Sequence, residues 1–526
     1  MADSASEIRA LRLRKLDELR ARGVNPYPDR YERTHSVAEA RTEGERTAPP
    51  AGEWPPADAA VLRLAGRLMA FRDMGKLTFG QLRDHSAGIQ VALSQKDVGA
   101  ESYKDFLRLI DVGDFLAVEG SLFRTRTGEL TVKVQRWRLL GKALRPLPEK
   151  WHGLKDQELC WRHRYLDLST NEETRARFRL RSAVVRELRA FLDRHGFEEV
   201  ETPVLMPHPS GALAKPFVAH HNSLAMDVFL RIAPETYLKR LIVGGYDRVY
   251  EIARCFRNEG MDPSHLQDFT MLEWYAAYWN YVDNMGFTER LLKHVLEATR
   301  GSLRVSFGGV ETDFSGDWPR RSIRELIRER CGVDLARHET ADALRAEIAA
   351  RGVRLEDALK LGRGNLIDAL WKKVARPHVT SPTFVIQHPA DLSPLARRND
   401  DDPAIVDRFQ LVVNGWEIVN AYSELVDPVD QTRRLEEQAA ARERGDEEAM
   451  VFEADYIAAM EYGMPPISGF GLGVDRFVAL LSGQENLRDV VFFPLLRPMT
   501  EEGAPAPPPP AAEKGAPASP LPPGEG

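Results

Sequence analysis

The stretch RVYEIARCFRNEGMDPSHLQDFTMLEWYAAY, Arg248 to Tyr278, decides how the rest of the chain is read. The runs Val249–Ala253 and Phe269–Tyr275 carry the β-branched and aromatic residues that fit a pleated strand. Between them lie Asn258, Glu259, Gly260, Asp262, Pro263 and Ser264, which are turn residues. The pattern predicts two strands joined by a polar loop, with Arg257, Glu259 and His265 held at one end of a sheet. Such a group suits a substrate carrying both phosphates and hydrogen-bond donors. A solvated hairpin with ordinary surface charges is the competing reading.

With 526 residues, 43% of them hydrophobic, the chain has room for two or three domains with substantial cores. A formal charge of −7 excludes a protein whose whole surface coats nucleic acid, while 72 Lys and Arg still allow local basic surfaces. Cys160, Cys255 and Cys331 show neither metal-ligand spacing nor an even set for a disulfide framework. No apolar run approaches the ~20 residues that span a bilayer, and Met1–Ala10 lacks a signal-peptide core. These features predict a soluble cytoplasmic protein of a reducing compartment, with neither membrane nor DNA as partner.

Ser4-Ala-Ser-Glu7 has the spacing of a capping box, and Gly23 marks a helix stop. The helix between them bears Arg9, Arg12, Arg14, Lys15, Arg20 and Arg22, either as a solvated face or as a phosphate-contacting one. Residues 37–57, rich in Ala, Pro and Glu, read as a linker. Short β-rich runs follow at Leu62–Phe71, Leu77–Leu82, Ile89–Leu93, Phe115–Phe123 and Glu129–Trp137, with a helical segment at Ser102–Ile110. That order is the order of an oligonucleotide/oligosaccharide-binding (OB) barrel. Basic side chains and Phe71, Phe79 and Phe123 are scattered over these strands, as a surface for single-stranded bases requires, or as core aromatics.

Beyond Trp151 the chain reads as one large unit. A helical stripe at Leu180, Val184, Leu188, Phe191 and Leu192 ends at His195-Gly196, and a strand is predicted from Phe197 to Val204. Residues 286–375 are mostly helical, interrupted at Val305–Phe314, and the charged stretch Ala336–Asp357 marks an inserted subdomain. Strand returns at Pro382–Ile386 and Phe409–Leu425, followed by a strand-turn-helix over Gly469–Gly483. The Pro/Ala-rich tail 499–526 cannot build a core.

FRNE (Phe256–Glu259) with FTMLEWY (Phe269–Tyr275) resembles motif 2 of class II aminoacyl-tRNA synthetases, GFGLGVDR (Gly469–Arg476) resembles their motif 3, and the helix-strand ending at Pro203 resembles motif 1. KWHGLKDQE (Lys150–Glu158), RHRYLDL (Arg162–Leu168), HHNSL (His220–Leu224), RIAPETYLKRLIVGG (Arg231–Gly245), SPLARRND (Ser393–Asp400) and NAYSELVDP (Asn420–Pro428) are similar to the bacterial lysyl-tRNA synthetases within that class. The resemblance runs from about Ile8 to Pro498. It implies an α+β chain: an N-terminal helix and linker (1–57), an OB-fold anticodon-binding domain (58–145), and a class II catalytic domain (146–498). That domain would have a mixed, mainly antiparallel sheet flanked by helices, with a helical insertion at about 320–375.

The same resemblance implies ATP-dependent activation of L-lysine and its transfer to the tRNA for lysine, by a homodimer using Mg²⁺. Arg257 and Arg476 would be catalytic, and ATP would meet Arg257, Glu259, His265, Phe269, Glu417, Gly473 and Arg476. Lysine would meet Gly211, Glu235, Glu273, Tyr275, Asn420, Tyr422 and Glu424, and Mg²⁺ would meet Glu417 and Glu424. Those two glutamates are seven residues apart, so a bulge is required if one strand is to aim both at one site. Arg72, Phe79, Gln90 and Glu119 would read the anticodon. The chain departs from the family at Gln267-Asp268, at Ser210 and at Cys255, without removing an essential charge. A lysine ligase acting on a protein acceptor and a non-catalytic RNA-binding paralogue are the competing readings.

Overall fold

In the computed structural model the described residues are 2–148, 156–209, 211, 214–355, 358–359, 361–443 and 450–499, with side chains from residue 6. The segments at 149–155, Ser210, Ala212 and the tail from residue 500, on which several sequence readings fall, lie outside them. The chain divides into two compact units, Met1–Lys155 and Asp156–Gly526.

The first unit comprises α1 (Ala2–Ala21), α2 (Val37–Thr47), β1 (Leu62–Asp73), β2 (Leu77–Arg83), β3 (Gly88–Ser94), α3 (Ala100–Leu109), β4 (Phe115–Arg124) and β5 (Leu130–Gly141). The strands close into a barrel in the order β1-β2-β3-β5-β4. Side chains alternate along β1, so Leu62, Leu64 and Leu68 point inward and Arg63 and Arg67 do not. Tyr103, Phe106 and Leu109 of α3 join the inward residues in one core, which explains why a helix sits between the third and fourth strands.

Three expectations for this unit need correction. Helix α1 begins at Ala2 and runs through Ser4, so Ser4–Glu7 is not its cap. Residues 37–47 are helix, not linker: the Ser36 and Glu39 side chains each bond the other's backbone N–H, and Val37 and Ala40 are buried in the barrel core. Burial of that apolar edge outweighs a composition that suggests a spacer. The basic residues of α1 are largely structural. Arg12 donates to the carbonyls of Val112, Ala143 and Arg145 at 2.9–3.1 Å, and Lys15 and Arg22 pair with Asp111 and Asp105 at 2.7 and 2.6 Å.

The second unit is built on α4 (Glu172–Arg194), β6 (Glu198–Glu199), α5 (Glu235–Val243), β7 (Arg248–Phe256), β8 (Asp268–Ala277), α6 (Tyr281–Arg300), β9 (Arg320–Ser322), β10 (Thr383–Pro389), β11 (Ile405–Val413), β12 (Trp416–Ser423), β13 (Ile467–Gly473) and α7 (Val474–Ser482). Its eight-stranded sheet has the order β9-β10-β11-β12-β13-β8-β7-β6, antiparallel except at β9/β10 and β7/β6. One face is packed under α4, α6 and α7: Val184, Leu188, Leu291, Val295 and Phe477 bury against Leu272, Trp274 and Phe470. Trp274 and Phe470 stack at 3.3 Å between ring centroids. The opposite face carries the polar side chains.

The strand predicted over Phe197–Val204 shrinks to Glu198–Glu199, because Pro203 has no N–H for a ladder and Thr202 turns its hydroxyl to Glu251 at 2.7 Å. The run Phe409–Leu425 is a hairpin, broken at Asn414-Gly415, both in the left-handed region. Between β9 and β10 the helices Ile323–Cys331, Ala341–Ala350 and Arg363–Leu370 close over their own core of Ile327, Leu344, Ile348, Leu366 and Trp371. No helix among the described residues is long and apolar enough to cross a membrane.

Candidate active site

The Arg248–Tyr278 stretch forms β7, an eleven-residue loop and β8, in the register Cys255↔Phe269, Glu251↔Glu273 and Val249↔Tyr275. Because strand side chains alternate, Phe269, Met271, Glu273 and Tyr275 face one side while Leu272 and Trp274 face the core. On β13 the alternation is Gly469, Phe470, Gly471, Leu472, Gly473, so the face next to Glu273 and Tyr275 carries only hydrogen. The cross-strand rows are Tyr422–Gly469–Tyr275 and Asn420–Gly471–Glu273. The missing side chains open a cleft of about 450 Å³ over the middle of the sheet. A Cβ on Gly469 would overlap Glu424 Oε1 and the Tyr275 ring. Gly469→Ala is therefore expected to block this part of the cleft and to cut the rate of the reaction it houses by about a hundredfold or more, the effect of displacing one preorganised group; steady-state kinetics beside a thermal melt check it.

The bulge required to bring Glu417 and Glu424 to one side is present. Val412 pairs with Glu417 and Leu411 with Val419, so Ile418 is the extra residue. The side-chain parity flips there, and Glu417, Asn420, Tyr422 and Glu424 all line the cleft.

One end of the cleft is acidic. Glu235, Glu273 and Glu424 are 6%, 5% and 1% exposed. Glu424 lies 2.5 Å from the Nζ of Lys239, which also lies 2.6 Å from Glu235 Oε1. The Tyr422 hydroxyl donates to the same Glu235 oxygen at 2.7 Å. Glu273 Oε2 is buried with no hydrogen-bond partner. Burial and then the Glu235 charge hold the Glu273 carboxyl well above its usual range, against Arg257 and Lys239. Burial pushes Glu424 up to about 8, with Lys239 pulling it down. The Tyr275 and Tyr422 phenols are raised by burial and by the surrounding carboxylates, and stay neutral. Gly211, at φ +88°, would set a Cβ 3.0 Å from that of Ala233, beside Glu235. The arrangement is a slot with more carboxyl groups than resident ammonium groups.

The other end is basic. Arg257 lies 5.0 Å over the Phe269 ring and its buried Nε has no partner. Arg476, at the start of α7 after Gly473, donates to the Glu417 carbonyl at 3.1 Å and to His265 Nε2 at 3.1 Å. A guanidinium can only donate, so Nε2 accepts and Nδ1 gives its hydrogen to Asp262, 2.7 Å away. Burial pulls Arg476 below its usual value; Glu417 opposes this, and Arg376 and Arg257 add to the fall. Neither Asp475 nor Asp489 pairs with Arg476, as a purely structural arginine would require. Asp475 pairs with Arg181 at 2.6 Å, and Asp489 accepts from Trp161 at 2.8 Å. Glu259 lines the same end. Converging cations beside an aromatic ring suit a nucleoside polyphosphate.

For a divalent cation the two proposed ligands differ. Glu417 accepts from Gln410 through Oε2 at 2.8 Å and stands among the phosphate-seeking arginines, a setting that fits Mg²⁺ bridging phosphates. Glu424 is fully buried with Lys239 2.5 Å from one of its oxygens, a setting that suits an ammonium partner better than a hard cation. Among the described residues no group of three or more His, Cys, Asp or Glu could hold a metal ion unaided.

The departures have local causes. Gln267 staples the loop, donating to the Gly260 carbonyl at 3.1 Å while its own carbonyl accepts from Arg257 N–H at 2.9 Å. Asp268 points away from the cleft and pairs with Arg254. Burial pushes the Cys255 thiol up to about 12, so it is a packed neutral residue. Three residues that the sequence reading passed over belong to the site. Lys239 has the spacing of an ordinary i,i+4 partner of Glu235, Arg408 is a charge inside the apolar strand β11 bonded to Asn420 Oδ1 at 2.8 Å, and Tyr456 encloses Lys239. The Arg408 bond fixes the Asn420 amide against the cleft wall.

On the barrel, Arg72 lies directly opposite Phe79, Phe79 opposite Ala92, and Gln90 two residues along the same face. Glu119 pairs across with Arg63, at the far end of β1 from Arg72, so it does not join the other three. Gln90 accepts from Thr131 at 2.8 Å. Phe123 is buried beneath Trp54, a core aromatic and not a base platform.

Residues 156–497 match the family model described as tRNA synthetases class II (D, K and N), and residues 62–140 match that of the OB-fold nucleic acid binding domain. A lysine–tRNA ligase of Pelotomaculum thermopropionicum is 44% identical over 499 residues, covering 94% of this chain and 96% of its own. That of Magnetococcus marinus is 47% identical over 490 residues, covering 93% and 96%, and that of Thermotoga maritima 44% over 492, covering 94% and 96%. With an acidic slot at one end of its cleft, converging arginines at the other, and a match to these relatives over nearly its whole length, the chain belongs to the class II tRNA synthetases and, among them, to the lysine–tRNA ligases.

Proposed function

We propose that this chain joins L-lysine to ATP as lysyl-adenylate and passes the lysyl group to the 3′ end of the tRNA for lysine. The observation that carries the reading is Glu273, a buried carboxylate with an unpartnered oxygen, facing a slot that opens toward Arg257 and Arg476. The substrate's side-chain ammonium would pair with Glu273, with Glu424 behind it and the rings of Tyr275 and Tyr422 alongside. Its α-ammonium would take Glu235, by Gly211, and its carboxylate would lie toward Asn420.

A lysine carboxylate oxygen then bonds the α-phosphorus of ATP while the bond to the bridging oxygen breaks and pyrophosphate leaves. Two anions meet in that step, and Arg257 supplies the bidentate cation that holds them together. Arg476, steadied by His265, would hold the terminal phosphate. Phe269 would stack on adenine, and Glu259 would accept from its amino group. Mg²⁺ held at Glu417 would neutralise phosphate charge. In the second step the terminal ribose hydroxyl attacks the lysyl carbonyl and AMP departs.

Arg72, Phe79 and Gln90 share one outer face of the barrel, which supports a role in stacking and reading splayed anticodon bases. The family resemblance, with Phe493 and Leu495 exposed along one groove, supports assembly as a homodimer. The family's role in translation supports a cytoplasmic location. Charging of a total tRNA pool tests the acceptor: labelled lysine is expected in acid-precipitable, nuclease-sensitive RNA, and label in protein alone would replace the tRNA by a protein acceptor.

The slot also dictates a pH dependence. Lysine's ammonium groups bind ionised carboxylates, and Glu424 is raised from its ordinary 4.5 to about 8. A carboxyl raised in the fold stabilises below its unfolded value and loses that contribution as pH climbs through the folded one. The lysine-free enzyme is thus weakened between about pH 4.5 and 8 by this group, and lysine binding is strongest above it. The rise in Tm caused by a fixed lysine concentration is expected to be larger at pH 8 than at pH 6, measured by differential scanning fluorimetry.

A further inference from the structure

Lys239 stands behind the slot, one helical turn after Glu235 on α5. Its Nζ is 2.6 Å from Glu235 and 2.5 Å from Glu424, its side chain is 0% exposed, and Tyr275, Tyr422 and Tyr456 surround it with centroids 5.8 Å away. A Glu–Lys pair at this spacing is ordinarily a surface feature worth little. A fully buried ammonium is a different object, since its desolvation must be matched by well-placed opposite charge. Burial works against the charge here, but Glu235 and Glu424 outweigh it and hold Lys239 above its usual value.

Three carboxylates, Glu235, Glu273 and Glu424, line the slot, and Lys239 is the ammonium that touches two of them. Glu251, the next carboxylate on the strand beside Glu273, is taken up by Arg231 at 2.5 Å. Arg257 faces Glu273 from the phosphate end. With all three ionised, as they are when ammonium groups meet them, three carboxylates less one resident ammonium leave two negative charges, the number of ammonium groups on lysine. The substrate's own carboxylate is then left for Arg257 and Asn420.

We propose that Lys239 is a positioning residue that neutralises one of the slot's three carboxylates from behind and so matches the slot's charge to a substrate with two ammonium groups. This rests on the lysine reading above. Without Lys239, Glu235 and Glu424 lose their shared partner and repel each other, and the slot carries one charge too many for its substrate.

Lys239→Met in the full chain, assayed by ATP–pyrophosphate exchange with lysine and ATP varied separately, tests this. The lysine KM is expected to rise about thirtyfold or more, with the ATP KM within about threefold, as for one half of a buried ion pair left alone. Adding Glu424→Gln removes the other half, so the double variant's lysine KM is expected within about fivefold of that of Glu424→Gln alone. A lysine that served only the fold would move both KM values together, and the second substitution would compound the damage. A lysine KM within about threefold of the parent's, or effects of the two substitutions that simply multiply, would overturn the proposal. Should Lys239→Met not fold, the comparison of the double variant with Glu424→Gln carries the test, and a further loss of about tenfold there would overturn it. Absence of lysine-dependent exchange in the unaltered chain would instead remove the lysine reading itself.

Discussion

Glu273→Gln is expected to raise the lysine KM by about 10²–10⁴, because an ammonium left in a buried slot without its carboxylate costs about 3–5 kcal/mol. Glutamine keeps the shape of the side chain, so the loss is one of charge and not of packing. The ATP KM should stay within a few-fold, since Phe269, Arg257 and Arg476 are untouched. Exchange kinetics with each substrate varied in turn measure this directly. An unchanged lysine KM would move the seat of the ammonium away from Glu273, whose Oε2 is a buried oxygen without a hydrogen-bond partner. Selectivity against neutral amino acids rests on the same term. Selectivity against ornithine, one methylene shorter, is expected to be worth only about 1–3 kcal/mol.

The second large effect falls on kcat. Arg257→Ala is expected to lower it by about 10²–10³, the cost of removing one preorganised charge from a site where charge must be stabilised. Arg257→Lys should recover part of the loss, because an ammonium supplies the charge without the planar fork. Pre-steady-state formation of the adenylate reads this step without interference from tRNA release. Cys255, two residues away, offers no alternative chemistry, as its thiol is held neutral by burial.

Much of this site can be read from the chain because strand chemistry has a period of two. Phe269, Glu273 and Tyr275 alternate with core residues, and Gly469, Gly471 and Gly473 do the same on the neighbouring strand, so both the cleft and its floor are written in the order of residues. The bulge at Ile418 is implied by the wish to aim both Glu417 and Glu424 inward, and it is there. What stays hidden is whatever depends on who lies behind whom. Glu235 and Lys239 look like a surface pair until the fold buries them under three tyrosines. The same blindness leaves Arg12 and Lys15 open to reading as a solvated face or as phosphate contacts, when they are braces within their own unit.

Composition misleads where a short local signal is correct. Ser36-Val-Ala-Glu39 carries the capping-box spacing, yet the Ala, Pro and Glu content of residues 37–57 suggests a spacer. The structure follows the cap, since Val37 and Ala40 find a core to enter. Asn414-Gly415 is an equally plain hairpin signal inside a run read as continuous strand. Gln267 and Asp268, where the chain leaves its family's wording, sit on the loop and on the side of the strand turned away from the cleft, so the change leaves the cleft intact.

ATP–pyrophosphate exchange without tRNA, run with each standard amino acid in turn, tests most directly whether Glu235, Glu273 and Glu424 select lysine. Lysine alone is expected to drive strong exchange, with ornithine a weak second. Exchange driven by aspartate or asparagine and not by lysine would contradict the assignment.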